Sequence, residues 1–188
     1  ATAKTGYRFV GWFNNEECTG TASSTSASFT FKATSNVTYY AKFVQSQVTV
    51  SVGAKYRTAN GINSLGNLTV GTTGGTVSAT SVSTIYYGQS ITFTADPASG
   101  YTFVGWFNSS DASVGTGTTY TASEVKANIS GIYAKFVTTP LNGVSANVGT
   151  VNGGTVKVDT AKYSGEVTGW FAGYNMTISA TANTGYTF

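Results

Sequence analysis

One motif that keeps returning constrains this chain more than any other feature. Gly6-Tyr7-Arg8-Phe9-Val10-Gly11-Trp12-Phe13 recurs as Gly100-Tyr101-Thr102-Phe103-Val104-Gly105-Trp106-Phe107, and Gly185-Tyr186-Thr187-Phe188 opens a third copy. Downstream, Tyr39-Tyr40-Ala41-Lys42-Phe43-Val44 matches Ile132-Tyr133-Ala134-Lys135-Phe136-Val137. Upstream, Val70-Gly71-Thr72-Thr73-Gly74-Gly75-Thr76-Val77 echoes the stretch from Val148 to Val156 that carries Gly153-Gly154. Ile91-Thr92-Phe93-Thr94-Ala95 is set against Ile178-Ser179-Ala180-Thr181-Ala182. Self-similarity on this scale demands units of one kind, each too small to bury its apolar face alone. The expected division is residues 1–44 as the C-terminal half of a unit and 45–137 as a complete unit with a long first strand or linker. Residues 138–188 then form the N-terminal half of a further unit.

Within the units the apolar residues alternate, which is the period of a half-buried strand. Ile132, Ala134 and Phe136 share one face, and Tyr133, Lys135 and Val137 share the other. Ile91, Phe93 and Ala95 alternate with Thr92 and Thr94. The alternation breaks at Gly105, where a bulge or bend lets Phe103 and Trp106 reach the same core. Gly74-Gly75, Gly153-Gly154, Asn60-Gly61 and Asn142-Gly143 read as turns. Only 9% of the residues are charged, against about 25% in an average globular protein. Thr, Ser, Gly and Asn take their place, and all of these disfavour helix. Tyr, Phe, Val and Thr favour strand. The expected fold is therefore all-β, a series of small antiparallel β modules in a linear array. Tyr7, Phe9, Trp12, Phe43, Ile91, Phe93, Tyr101, Phe103, Trp106 and Phe136 are its expected core.

Gly-Tyr-x-Phe-x-Gly-Trp-Phe, followed after a variable loop by Tyr-Ala-Lys-Phe, resembles the divergent InlB B-repeat family, also called Listeria–Bacteroides repeats. The resemblance covers most of the chain. It implies small β-rich, β-grasp-like modules strung along prokaryotic surface proteins, hence an extracellular or cell-surface location. It also implies a stalk, fibre or adhesin shaft with no catalytic residues to carry over. Two departures stand out. Residues 45–69 form a longer linker than a minimal repeat needs, and the third copy has an insertion after Gly154 that contains Gly169-Trp170-Phe171.

A search for chemistry leads away from catalysis. The chain has no histidine, so the commonest general base and metal ligand is missing. Its seven carboxylates form no recurring pair of the kind a glycosidase needs. Asp96, for example, is set against Lys4 in the first copy and Asn183 in the third. No cofactor, metal or catalytic residue is expected. Lys and Arg are scattered singly, without the clustered footprint of a nucleic-acid binder. No apolar run reaches the roughly 18 residues of a membrane span. The lone Cys18 reads as a loop thiol, or else as half of an intermolecular disulfide.

The alternative function is a module that binds carbohydrate or a cell surface. Trp170, with no repeated counterpart, is its best candidate for an exposed ring, although packing in a core is the stronger reading. Tyr40 and Tyr133, expected to point outward beside Lys42 and Lys135, come next. Lys42 and Lys135 also raise isopeptide bonding, but no carboxylate recurs near them in sequence. The expected partners are neighbouring repeats or copies of the chain itself, then surface glycans or other surface proteins. The first and third copies are complementary halves; the stronger reading is that the chain is a window on a longer repetitive polypeptide, and the sharper one is that successive chains complete each other.

Overall fold

The computed structural model describes residues 1–78 and 82–187, and among them there are strands and turns but no helix. In chain order the strands are β1 (Tyr7–Phe13), β2 (Tyr40–Gln45), β3 (Gln47–Arg57), β4 (Ala59–Gly61), β5 (Ser64–Leu65) and β6 (Thr69–Val70). Next come β7 (Gly75–Ser78), β8 (Val82–Tyr86), β9 (Ile91–Pro97), β10 (Tyr101–Phe107), β11 (Ser113–Gly115) and β12 (Thr119–Ala122). The last are β13 (Ile129–Thr138), β14 (Gly154–Val158), β15 (Tyr163–Ser164), β16 (Thr168–Gly169) and β17 (Ile178–Ala182). Phe188, the last residue of the third motif, lies outside the described residues.

The chain divides into two compact units. One comprises Ala1–Ser51, Val82–Thr92 and Thr121–Ser130; the other comprises Val52–Ser81, Phe93–Tyr120 and Gly131–Phe188. In the first unit β1 pairs with β2, and the start of β3 pairs with β8. Phe13, Val48, Val50, Ala122 and Val125 are its buried apolar residues. In the second unit β13 lies between β10 and β3. Both of its faces are covered, because a central strand of a two-sided layer meets side chains above and below. One face carries Ala134 and Phe136, in a core with Phe93, Ala95 and Trp106. The other carries Val137, which packs with Leu65 and Phe171 and with the half-buried Tyr163 and Val167. Fully burying each such aromatic or aliphatic side chain stabilises by about 1.5–3 kcal/mol.

The repeat motif has one backbone form. The amides of Tyr7, Tyr101 and Tyr186 donate to the carbonyls of Lys4, Ala98 and Asn183, each at 3.0 Å. The intervening Gly6, Gly100 and Gly185 have φ of 82°, 81° and 84°, a region that L side chains rarely enter. This turn explains why every copy of the motif begins with glycine. It also shifts the alignment of the copies. Thr76 pairs with Asp96 and Thr155 with Thr181, so Thr181 and not Asn183 is the counterpart of Asp96. By the same register Ile178 takes the place of Phe93, and Ile91 has no equivalent in β17. The carboxylate of Asp96 remains unrepeated either way.

The expected bulge is present twice. Register slips between Phe9 and Gly11 in β1, and between Phe103 and Gly105 in β10. The extra residue turns Phe9 and Trp12 to one face, with ring centroids 5.7 Å apart, and Phe103 and Trp106 likewise at 5.7 Å.

Candidate functional site

Copies one and two are built alike and finished differently. β1 meets β2 in the same register as β10 meets β13: Phe9 opposite Phe43, Phe103 opposite Phe136. In copy two the β7–β9 hairpin lies on this pair. A methyl group on Gly75 would stand 2.6 Å from the Phe136 ring, and one on Gly74 would stand 2.9 Å from Phe136 Cβ. The Gly-Gly pair, expected as a turn, thus also lets a backbone rest directly on an aromatic face. Phe136 is 0% exposed in consequence, whereas its counterpart Phe43 is 37% exposed.

The third copy presents the converse half. β14 and β17 pair as β7 and β9 do, Gly154 opposite Ala182 as Gly75 is opposite Pro97. Asn183 donates to the Gly153 carbonyl as Ala98 does to that of Gly74. What this hairpin lacks is a strand pair to lie on. Ile178 is 52% exposed where Phe93 is 0% exposed, and Val151 and Tyr186 are exposed as well. Open cavities mark both faces: about 350 Å³ lined by Thr2, Lys4, Tyr7 and Phe43, and about 330 Å³ along Val151, Gly153, Gly154, Val156 and Ala180.

Two of the expected core residues, Tyr7 and Phe43, are therefore exposed, because no hairpin among the described residues covers them. Phe9, Trp12, Ile91, Tyr101 and Phe103 are half-buried, and Phe93, Trp106 and Phe136 are fully buried. Around Trp12 the half-buried Phe29 and Tyr39 and the exposed Phe31 form an edge-to-face cluster. Its signal in the sequence is Phe29-Thr30-Phe31 within a polar loop.

Of the candidate binding aromatics, Trp170 follows its stronger reading as a packed residue, while the tyrosines depart from their outward expectation. Trp170 is buried, its indole N–H donating to the Thr160 carbonyl at 2.8 Å. It offers no ring to a ligand, and it repeats the habit of Trp12 and Trp106, whose indoles also donate to loop carbonyls. Tyr133 is buried as well, because the second face of β13 is covered and not solvated. Tyr40 is half-buried opposite Phe13.

That covered face holds a charged cluster that strand alternation alone assigned to solvent. Lys135 is 3% exposed. Its Nζ lies 2.5 Å from Asp111 Oδ1, 4.0 Å from Glu166 Oε1 and 3.9 Å from the centre of the Phe107 ring. The Tyr133 hydroxyl also donates to Asp111, and the Lys55 ammonium sits over the Tyr133 ring at 3.8 Å. Glu166 accepts from Arg57 at 2.8 Å and from the Tyr163 hydroxyl at 2.5 Å.

Desolvation pushes the Asp111 carboxyl up, but the bonded Lys135 and Tyr133 outweigh it and hold Asp111 below the ordinary range. Glu166 follows the same pattern, with Tyr163 and Arg57 overcoming its burial. Burial, then the neighbouring carboxylate, raises the phenols of Tyr133 and Tyr163. In copy one the matching Lys42 is half-buried and donates to the Cys18 carbonyl at 2.9 Å.

Against known families, the divergent InlB B-repeat domain matches residues 1–47 and 67–140. No curated protein matches, and no solved structure does. The stretch between the two matches holds β4, β5 and most of β3, within the linker that already looked long for such a repeat.

Proposed function

The chain belongs to the divergent InlB B-repeat family, and from that premise we propose that it is a non-catalytic repeat region of an extracellular surface protein. In this reading it serves as stalk, fibre or adhesin shaft, and half-modules complete each other head to tail, between neighbouring repeats of a longer chain or between copies of this one. The observation that carries the reading is the complementary exposure of the two halves. Phe43 and Tyr7 stand open where copy two is covered, and the β14–β17 hairpin stands open where β7–β9 is occupied.

The occupant that fits the copy-one face is a hairpin of the Gly153-Gly154 kind, from a neighbouring repeat or from a second copy of this chain. It has the register of the hairpin that covers Phe136, and its glycines leave room for the Phe43 ring. Exposed apolar faces and sheet edges of this kind favour association. Tyr186 now rests against Gly153, in the seat that Tyr7 of the receiving copy takes, so docking displaces it. Docking of this kind packs one sheet face on another, with the Gly-Gly backbone against an aromatic ring as in copy two.

Sizing at increasing concentration, followed by electron microscopy, tests the proposal. Oligomers or filaments that Phe43→Glu and Ile178→Glu each dissolve support it. A wild-type chain that stays monomeric at high concentration overturns completion between copies and leaves the spacer reading on the family alone.

A further inference from the structure

We propose that Lys135 and Asp111 condense into an internal amide, a covalent tie between the loop after β10 and the central strand β13. Among the described residues Lys135 is the one buried charged side chain, and the carboxyl group in direct contact with its amine is that of Asp111. Nζ stands 2.5 Å from Asp111 Oδ1, with the Phe107 ring fixing it from another side. The loop that carries Asp111 is held in place. Asn108 Oδ1 accepts from the amides of Ser110 and Ala112, and the Asp111 amide donates to the Asn108 carbonyl. Two reactants fixed this way react as an effectively unimolecular pair.

Glu166 supplies the proton path. Its Oε1 is 4.0 Å from Nζ, and Arg57 and Tyr163 anchor it. One ammonium proton passes to Glu166 and frees the Nζ lone pair, which attacks Asp111 Cγ. A C–N bond forms and one C–O bond breaks. The leaving oxygen takes the proton held by Glu166 and a second proton from Nζ, and departs as water. The positive and negative charges cancel, Glu166 returns to its starting state, and nothing is oxidised or reduced. Asp111 is 54% exposed, so the water has a way out. Replacing the ion pair by a neutral amide also removes the cost of keeping an ammonium group out of water.

Copy one is the internal control. The residue in Asp111's place in the loop is Cys18, with φ of 50° beside 58° for Asp111. It gives Lys42 a carbonyl and no carboxyl group, so no amide forms there.

Intact mass of the purified, folded chain, with a tryptic digest, decides the matter. The expected result is a mass lower by one water and a branched peptide joining the Asp111 and Lys135 segments, with cleavage at Lys135 lost. Lys135→Arg and Asp111→Ala restore the full mass, and Glu166→Gln slows formation by about a hundredfold. A full mass in the wild-type chain means a salt bridge only and overturns the proposal. So does a lost water with Lys135 still cleavable, since that is Asp111 closing on its own backbone.

Discussion

The strand pairs β1–β2 and β10–β13 share register, bulge and opening turn, yet one is half open and the other lies in a closed core. Phe43 and Phe136 face the same cross-strand partner in the two copies, and they differ only in what lies above them. The comparison teaches that the motif specifies a strand pair and not a finished module. Cross-strand contacts are local and form wherever the sequence recurs. Burial is supplied by a hairpin that the motif does not contain. The lysines diverge for the same reason. Lys42 finds a loop carbonyl, whereas Lys135 is enclosed by Asp111, Glu166 and Phe107 once the second face of β13 is covered.

The comparison is most exposed to failure at the tryptophans. Trp106→Ala removes a fully buried side chain, at a cost of about 3–5 kcal/mol. Trp12→Ala, at the half-buried counterpart, is expected to cost less than half as much. Urea denaturation of both variants measures this, and equal losses would dissolve the distinction between open and closed copies. A smaller effect is expected at the hairpin glycines. Gly75→Ala drives a methyl into Phe136 and the Asp96 carbonyl at a φ of 152°, for about 1–3 kcal/mol. Gly154→Ala meets only its own hairpin, so the single chain should lose less stability, while the proposed docking of half-modules should be lost.

Acid should separate the copies next. Glu166 has a folded pKa below its ordinary value of 4.5. Its contribution is fully present above that value and is lost as pH falls through the folded pKa. The denaturation midpoint is expected to drop on acidification and to drop less in Glu166→Gln. An identical profile in the two proteins would remove Glu166 from the cluster that sets copy two apart. The smallest effect belongs to the exposed pair Lys126–Glu124, at 3.5 Å. Glu124→Ala should leave the midpoint unmoved, since solvated ion pairs contribute little.

Much of the fold was legible because it rests on near neighbours. Gly105 announced the bulge and period-two alternation announced the strands. The candidate site was less legible. Trp170 was named as a candidate contact only because nothing in the chain repeats it, with packing the stronger reading, and Tyr133 and Lys135 looked solvated because alternation has only two faces to assign. Residues 141–171, with the linker around Leu65, cover the second face of β13, and no local pattern encodes that docking. The alignment that set Ile178 against Ile91 failed for a related reason. Short strands rich in Thr and Ala match in more than one register, and only the paired hydrogen bonds choose between them.

The all-β class, the repeated strand pair with its bulge, and the family were all legible in residue type and short-range order, on which they depend. The tertiary structure alone decided which copies are closed, where Trp170 and Tyr133 lie, and that Lys135 is enclosed with Asp111 and Glu166. Those outcomes depend on which distant segments come to rest on each face. A residue's burial is a property of its neighbours, and a repeat gives identical residues different neighbours.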